Sequence, residues 1–216
     1  MGLCRPNGNM LRSLVVLLPL WICLRAAGAA ELTVVLDFDG SYSARSIQQM
    51  KQETQEIFKS AGIHLNWRDR DEVGSSVPDD LVVIRFKGNC TLDPALAVEA
   101  ERAPLAFTHS SDGEVLSFSE VECGRVAASV QSAMWVDDFA RPDYVMGRAL
   151  GRVIAHELVH ILTRSGAHVE DGVMQAAFTG RDLIGAPLRL SRSEVERLRR
   201  AFPPPADAPS EGEAKR

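Results

Sequence analysis

The chain has 216 residues, 45% of them hydrophobic, with 24 Lys+Arg against 29 Asp+Glu and a net charge of −5. That length suffices for one domain with a core of its own. The acidic balance, without a basic stripe carrying interleaved aromatics, excludes nucleic acid from the expected partners.

The N-terminus reads as a signal peptide over residues 1–30. Arg5 and Arg12 precede a short apolar run, Leu14–Leu24, interrupted by Pro19. Small residues from Ala26 to Ala30 offer a cleavage site just before Ala30 or Glu31. The run is too short for a comfortable transmembrane helix, so an uncleaved anchor is the lesser alternative. Trp21 and Ile22 are too bulky to make Cys23 a lipid-attachment site. The leader carries Arg5, Arg12 and Arg25 and no acid, so its removal leaves a still more acidic chain. The expected location is secreted or periplasmic, with no membrane contact once the leader is cut.

Leu32–Leu36 reads as a strand, ended by Asp37-Phe38-Asp39-Gly40. Ser43 is placed to cap a helix running to about Ala61, with Ile47, Met50, Ile57, Phe58 and Ala61 on one face and Gly62 as its stop. Ile63–Trp67 alternates like a strand, and residues 71–80 form a polar loop. Asp80–Phe86 is nearly all apolar, which predicts a central strand. Leu105–Thr108 and Val115–Phe118 flank a turn centred on Asp112-Gly113. A helix over about 143–164 follows Pro142, with Asp143 at its start; Arg148 and Arg152 read as a solvated face. Ser191-Arg192-Ser193-Glu194 is a capping box, with Leu190 and Val195 placed as a hydrophobic staple, opening a last helix to about Phe202. The tail over 203–216 is rich in Pro, Ala and acids and is expected to be disordered.

Two cysteines lie in the leader, which leaves Cys90 and Cys123. An even pair in an exported chain is expected to form a disulfide. The alternative is that Cys123 is a metal ligand, as the upstream cysteine is in peptide deformylase.

The chemistry concentrates in His156-Glu157-Leu158-Val159-His160. Positions four apart share a helical face, so both imidazoles can meet one metal ion with Glu157 beside them. Ile154, Leu158 and Ile161, with Leu150 one turn earlier, form an apolar stripe on the other side, predicting a helix buried by one face. Ser165-Gly166 breaks the helix, and a left-handed Gly166 would turn the chain so that His168 completes a three-His site. Glu170 and Asp171 are the competing third ligands; Glu194 and Glu196 are weaker ones. The accidental alternative is that both histidines are satisfied core groups and Glu157 a solvated charge.

Read on to Met174, this stretch resembles the metzincin zinc-protease signature, in the variant HExxH-x7-H-xxx-G-x-M of exported bacterial proteins. It departs from the usual pattern at Thr163, where metzincins carry Gly, and at Gly166, where they carry the third His. The resemblance implies an α+β fold: a twisted mixed sheet of about five strands packed on two helices, a Met-turn at Met174 and a C-terminal helix, all within a domain over residues 31–202. It implies one Zn2+ held by His156, His160 and His168, with Glu157 as general base toward metal-activated water. It places Leu105, Ala106, Phe107 and Thr108 in the edge strand that pairs with a peptide substrate; a plain surface hairpin is the alternative. His109 is kept as a possible substrate contact, and Gln175, Ala176, Ala177 and Phe178 as an apolar pocket wall. The chain has only Tyr42 and Tyr144, so no tyrosine follows the Met-turn to stabilise an oxyanion. The activity so implied is that of a zinc metallopeptidase acting on peptides or proteins. A non-catalytic zinc-stabilised peptide-binding module and an amidase acting on a cell-wall component are the alternatives.

Overall fold

The computed structural model describes residues 29–73, 80–92 and 103–204. The leader expected over 1–30 and the tail expected over 203–216 lie outside the described residues, apart from residues 29–30 and 203–204.

The chain begins with β1 (Ala30–Phe38), α1 (Ala44–Phe58) and β2 (Ile63–Asp69). β1 and β2 run parallel, Ala30 opposite Ile63, so α1 is the crossover that parallel pairing requires. The stripe read from the sequence is the buried face of α1: Ile47, Met50, Ile57 and Phe58 are 7% exposed or less. Ser43 stands at the N-cap, but its side chain makes no capping bond. A 3-10 turn extends the helix to Ala61, and Gly62 stops it in the left-handed region at φ 75°.

β3 (Leu81–Lys87) pairs parallel with β1 and takes the central place expected of it, in the order β2-β1-β3-β5-β4. β5 (Glu114–Glu122) pairs parallel with β3, and β4 (Ala106–Ser111) lies antiparallel on its outer edge. The sheet is therefore mixed and five-stranded, and the chain is α+β, as the sequence reading expects. Asp112 (φ 54°) and Gly113 (φ 84°) form the two-residue turn between β4 and β5. Inward positions on alternate residues, such as Leu32, Val34 and Leu36 or Val82, Ile84 and Phe86, are 2% exposed or less. They merge with the buried face of α1 and with Leu150, Ile154 and Leu158 into one core.

The sequence reading has no counterpart for α2 (Cys123–Ala133), which leaves β5 without a loop and buries Val126, Ala127 and Val130. Its first turn holds Gly124 and its N-cap, Glu122, forms no side-chain cap, so the usual start signals are missing. Cys123 is bonded to Cys90, with Cα atoms 4.8 Å apart. The disulfide expectation holds, and a metal-ligand role for Cys123 is ruled out. The short α4 (Gly180–Ile184) also escaped the sequence, though Thr179 and Asp182 form a capping box. α5 (Arg192–Ala201) opens on the predicted box: Ser191 Oγ accepts from the Glu194 amide and the Glu194 carboxylate accepts from the Ser191 amide. Leu190 and Val195 both join the core.

α3 (Pro142–Thr163) corrects one expectation outright. It is buried on more than the one predicted face: Val145, Met146, Ala149, Val153, Ala155 and Val159 are buried along with the predicted stripe. Gly147 and Gly151, four apart, let α1 come close. A Cβ at Gly147 would lie 2.5 Å from the Ser46 carbonyl oxygen, and one at Gly151 would lie 2.8 Å from that of Met50. Arg152 is likewise no surface residue; it is 0% exposed. Its Nε donates to Glu53 Oε1 of α1 at 2.8 Å, and its terminal nitrogens donate to the carbonyls of Asp182 and Gly185. Among the described residues no helix is long and apolar enough to cross a membrane.

Candidate metal centre

α3 presents Val153, His156, Glu157 and His160, and Arg164 just after its end, to a cleft of about 1000 Å3. β4 and the approach to it, Ala103–Thr108, form one side, and Gln175–Gly180 another. The predicted edge strand and the predicted wall residues Gln175, Ala176, Ala177 and Phe178 all border this cleft.

The three predicted histidines meet. Their ligand atoms lie within 4.8 Å of one another, and they form a cluster able to hold a metal ion. His156 Nε2 is 2.9 Å from His160 Nε2, which is 3.2 Å from His168 Nε2. Two nitrogens bound to one tetrahedral zinc sit about 3.3 Å apart, so the spacing suits such an ion.

The outer ring nitrogens fix the tautomers. His156 Nδ1 lies 2.7 Å from the Val173 carbonyl oxygen, and His160 Nδ1 lies 2.6 Å from that of Ser165. A carbonyl only accepts, so each Nδ1 carries the proton and each Nε2 turns a lone pair inward. Inward lone pairs at these distances repel unless a cation lies between them, and the donor set therefore fits a metal.

Burial sets the electrostatics. His156 and His160 are 9% and 7% exposed, while His168 is open to solvent. Burial lowers the pKa of His156 to about 4, outweighing its bond to Val173, so it is neutral at physiological pH, as a ligand must be. His168 is lowered too, first by partial desolvation and then by the neighbouring His160. Glu157 is 6% exposed, and burial raises its carboxyl pKa against the bonds from Thr108 and Ser119.

The chain reversal that delivers His168 differs from the expectation. The residue in the left-handed region is Arg164, at φ 47° and ψ 42°, and Gly166 stays outside the positive-φ region. The Ser165 amide closes the turn by donating to the His160 carbonyl at 3.2 Å. Glu170 and Asp171 are exposed and stand outside the cluster. Glu194 is used in its capping box, and Glu196 pairs with Arg192 at 3.7 Å.

Met174 is 1% exposed, in a turn where Gly172 has φ 86° and the Val169 amide donates to the Met174 carbonyl at 2.9 Å. Val173 of this same turn holds His156 through its carbonyl. His109 departs from its expected place. It lies outside the cleft lining, 3.0 Å from Glu120 Oε2 and between the rings of Phe107 and Phe118. Sequence reasoning missed Ser119, whose hydroxyl lies 3.2 Å from Glu157 Oε2. Its signal was a polar residue in phase with the inward Val121.

No protein-family model and no curated protein matches this sequence. Among solved structures, the chain is similar to archaemetzincin from Methanopyrus kandleri. The identity is 13% and the TM-score 0.49, over 82% of this chain and 98% of that one. At that distance the likeness carries nothing about activity or ligands.

Proposed function

We propose that this chain is an exported zinc-dependent metallopeptidase in which His156, His160 and His168 hold the ion and Glu157 is the general base. One observation carries the reading. Three imidazole nitrogens converge within 4.8 Å, and the residue next to the first of them puts a buried carboxylate into the same cleft. Neutral imidazoles in a partly apolar cleft suit zinc better than the harder cations, which prefer oxygen ligands.

Bound zinc would supply Lewis-acid polarisation of a carbonyl and acidify a water. The rest falls to the chain. The desolvated Glu157 carboxylate has a raised pKa, which makes it a stronger base for taking a proton and returning it to the leaving amine. Among the described residues β4 has neighbour β5 on one side only, and its other edge offers strand addition to an extended peptide. Gln175–Phe178 would bound a pocket for one substrate side chain. Export is supported by the leader pattern and by the Cys90–Cys123 disulfide, a bond of oxidising compartments. β1 starts at Ala30, which is 4% exposed and paired with Ile63, so cleavage ahead of Ala30 would leave the strand whole.

The test is metal analysis of the mature protein with a peptide-cleavage assay. About one zinc per chain is expected, with Glu157→Gln retaining the metal and losing turnover by about 10²–10⁴-fold. Stoichiometric zinc with no cleavage across a broad peptide library would sink the peptidase reading. Peptide affinity of the Glu157→Gln form would then identify a binding module, and its lack would leave a non-peptide amide as the substrate to try.

A further inference from the structure

Two hydroxyls from the sheet reach Glu157, and both go to the same oxygen. Thr108 Oγ1 donates to Oε2 at 2.5 Å, and Ser119 Oγ lies 3.2 Å from that atom and 3.1 Å from the Phe107 carbonyl. A backbone hydrogen bond from Thr108 also reaches the Glu157 carboxylate. Ser119 is 0% exposed and sits beside Ile84 on β3 and Thr108 on β4. A serine at such an inward position gives up the apolar packing that valine would supply, so its hydroxyl calls for a purpose.

The strand register accounts for the pair. Thr108 stands directly opposite Ser119, and opposed residues of an antiparallel pair project from the same face. The register shifts immediately beyond, between Thr108 and Ser110. Irregularities of this kind re-aim side chains beside sites.

We infer that Thr108 and Ser119 are positioning residues for the general base, a role that rests on the peptidase reading of this cleft. They hold Oε2 and so fix the orientation in which the carboxylate meets water and the leaving amine. Glutamate has three rotatable bonds between backbone and carboxylate, and a displacement of about 1 Å at a reacting group costs on the order of 10²-fold in rate. Thr108 also lies in the edge strand open to peptide, so one residue links substrate docking to the orientation of the base.

The test compares the full chain, zinc-loaded, with Thr108→Val, Thr108→Ser and Ser119→Ala on one peptide. It adds zinc analysis and crystal structures of wild type and Thr108→Val. Thr108→Val is expected to lower kcat by about 10–100-fold, with KM within about 2-fold and zinc unchanged. Thr108→Ser restores most of the loss, Ser119→Ala lowers kcat by a smaller factor, and in a Glu157→Ala background Thr108→Val changes nothing more. The Thr108→Val structure is expected to show the Glu157 carboxylate turned from its wild-type position. Unchanged kcat in both Thr108→Val and Ser119→Ala, with the carboxylate unmoved, would overturn the assignment. If the wild type cleaves no peptide, the peptidase reading falls separately, and the carboxylate position in the two structures still decides whether the clamp exists.

Discussion

Two neighbours on α3 respond to burial in opposite senses. The imidazole of His156 is pushed down to about 4 and the carboxyl of Glu157 is pushed up, because each loses its charged form when water is removed. For His156 the unfolded chain takes up a proton near 6.5 and the folded chain only near 4. The unfolded state therefore binds more protons in that window, and stability falls as pH drops through it. Glu157, raised, works in the opposite sense, so the His156 contribution is read as the urea-midpoint difference between the metal-free protein and its His156→Gln variant, which is expected to change between pH about 6.5 and about 4. The variant should decline less. Protons also compete with zinc for the imidazoles, so unchanged zinc occupancy at pH about 4.5 would argue against three-His ligation. His168→Ala should weaken zinc binding by more than the about 10–100-fold that loss of an outer-shell partner costs. At this scale His156, Glu157 and His160 are legible in the sequence because a helix repeats every four residues. Thr108 and Ser119 join Glu157 from 49 and 38 positions away, by a register no local pattern encodes.

Among the elements, α3 differs most from its sequence reading. Its stripe predicts one buried face, and α1, α2, α4, α5 and the sheet bury the others. Arg152 looks like a solvated charge in a helical projection, yet Glu53 and two carbonyls arrive to satisfy it. Arg152→Ala would leave the Asp182 carbonyl without its donor and Glu53 to Arg148 alone, so it should cost about 1–3 kcal/mol in chemical denaturation. Gly147→Ala makes a second test. Alanine favours a helix interior by about 1 kcal/mol, but here its Cβ would press on the Ser46 carbonyl, and overpacking costs about 1–3 kcal/mol. A lower thermal midpoint is expected, and a higher one would show that α1 and α3 part without cost. α2 was illegible for a different reason: its Gly-containing first turn carries no cap, and packing against α3, α4 and β3 has to hold it.

For the whole molecule, stability is shared between the apolar core and a covalent cross-link of distant chain segments. The disulfide joins the end of β3 to the start of α2 across 33 residues, and its reduction should cost roughly 3–4 kcal/mol in the loop-entropy account. A metal ion held by the three histidines would join α3 to the loop that follows it, so under the proposed function chelation should lower the thermal midpoint by mass action and zinc should restore it. By itself the sequence determined the α+β class, the central place of β3, the cysteine pair, the histidine triad and the edge strand beside it. The individual elements, the cysteine pair and the histidines follow from a local period, a cap, a turn or a residue count, and the α+β class and the edge strand from the family resemblance those residues carry. Only the tertiary structure decided what encloses α3, which residue turns the chain toward His168, where His109 goes, and which hydroxyls hold Glu157. Those outcomes depend on contacts between segments far apart in the chain, and their partners are fixed only when the sheet register and the helix crossings are set together.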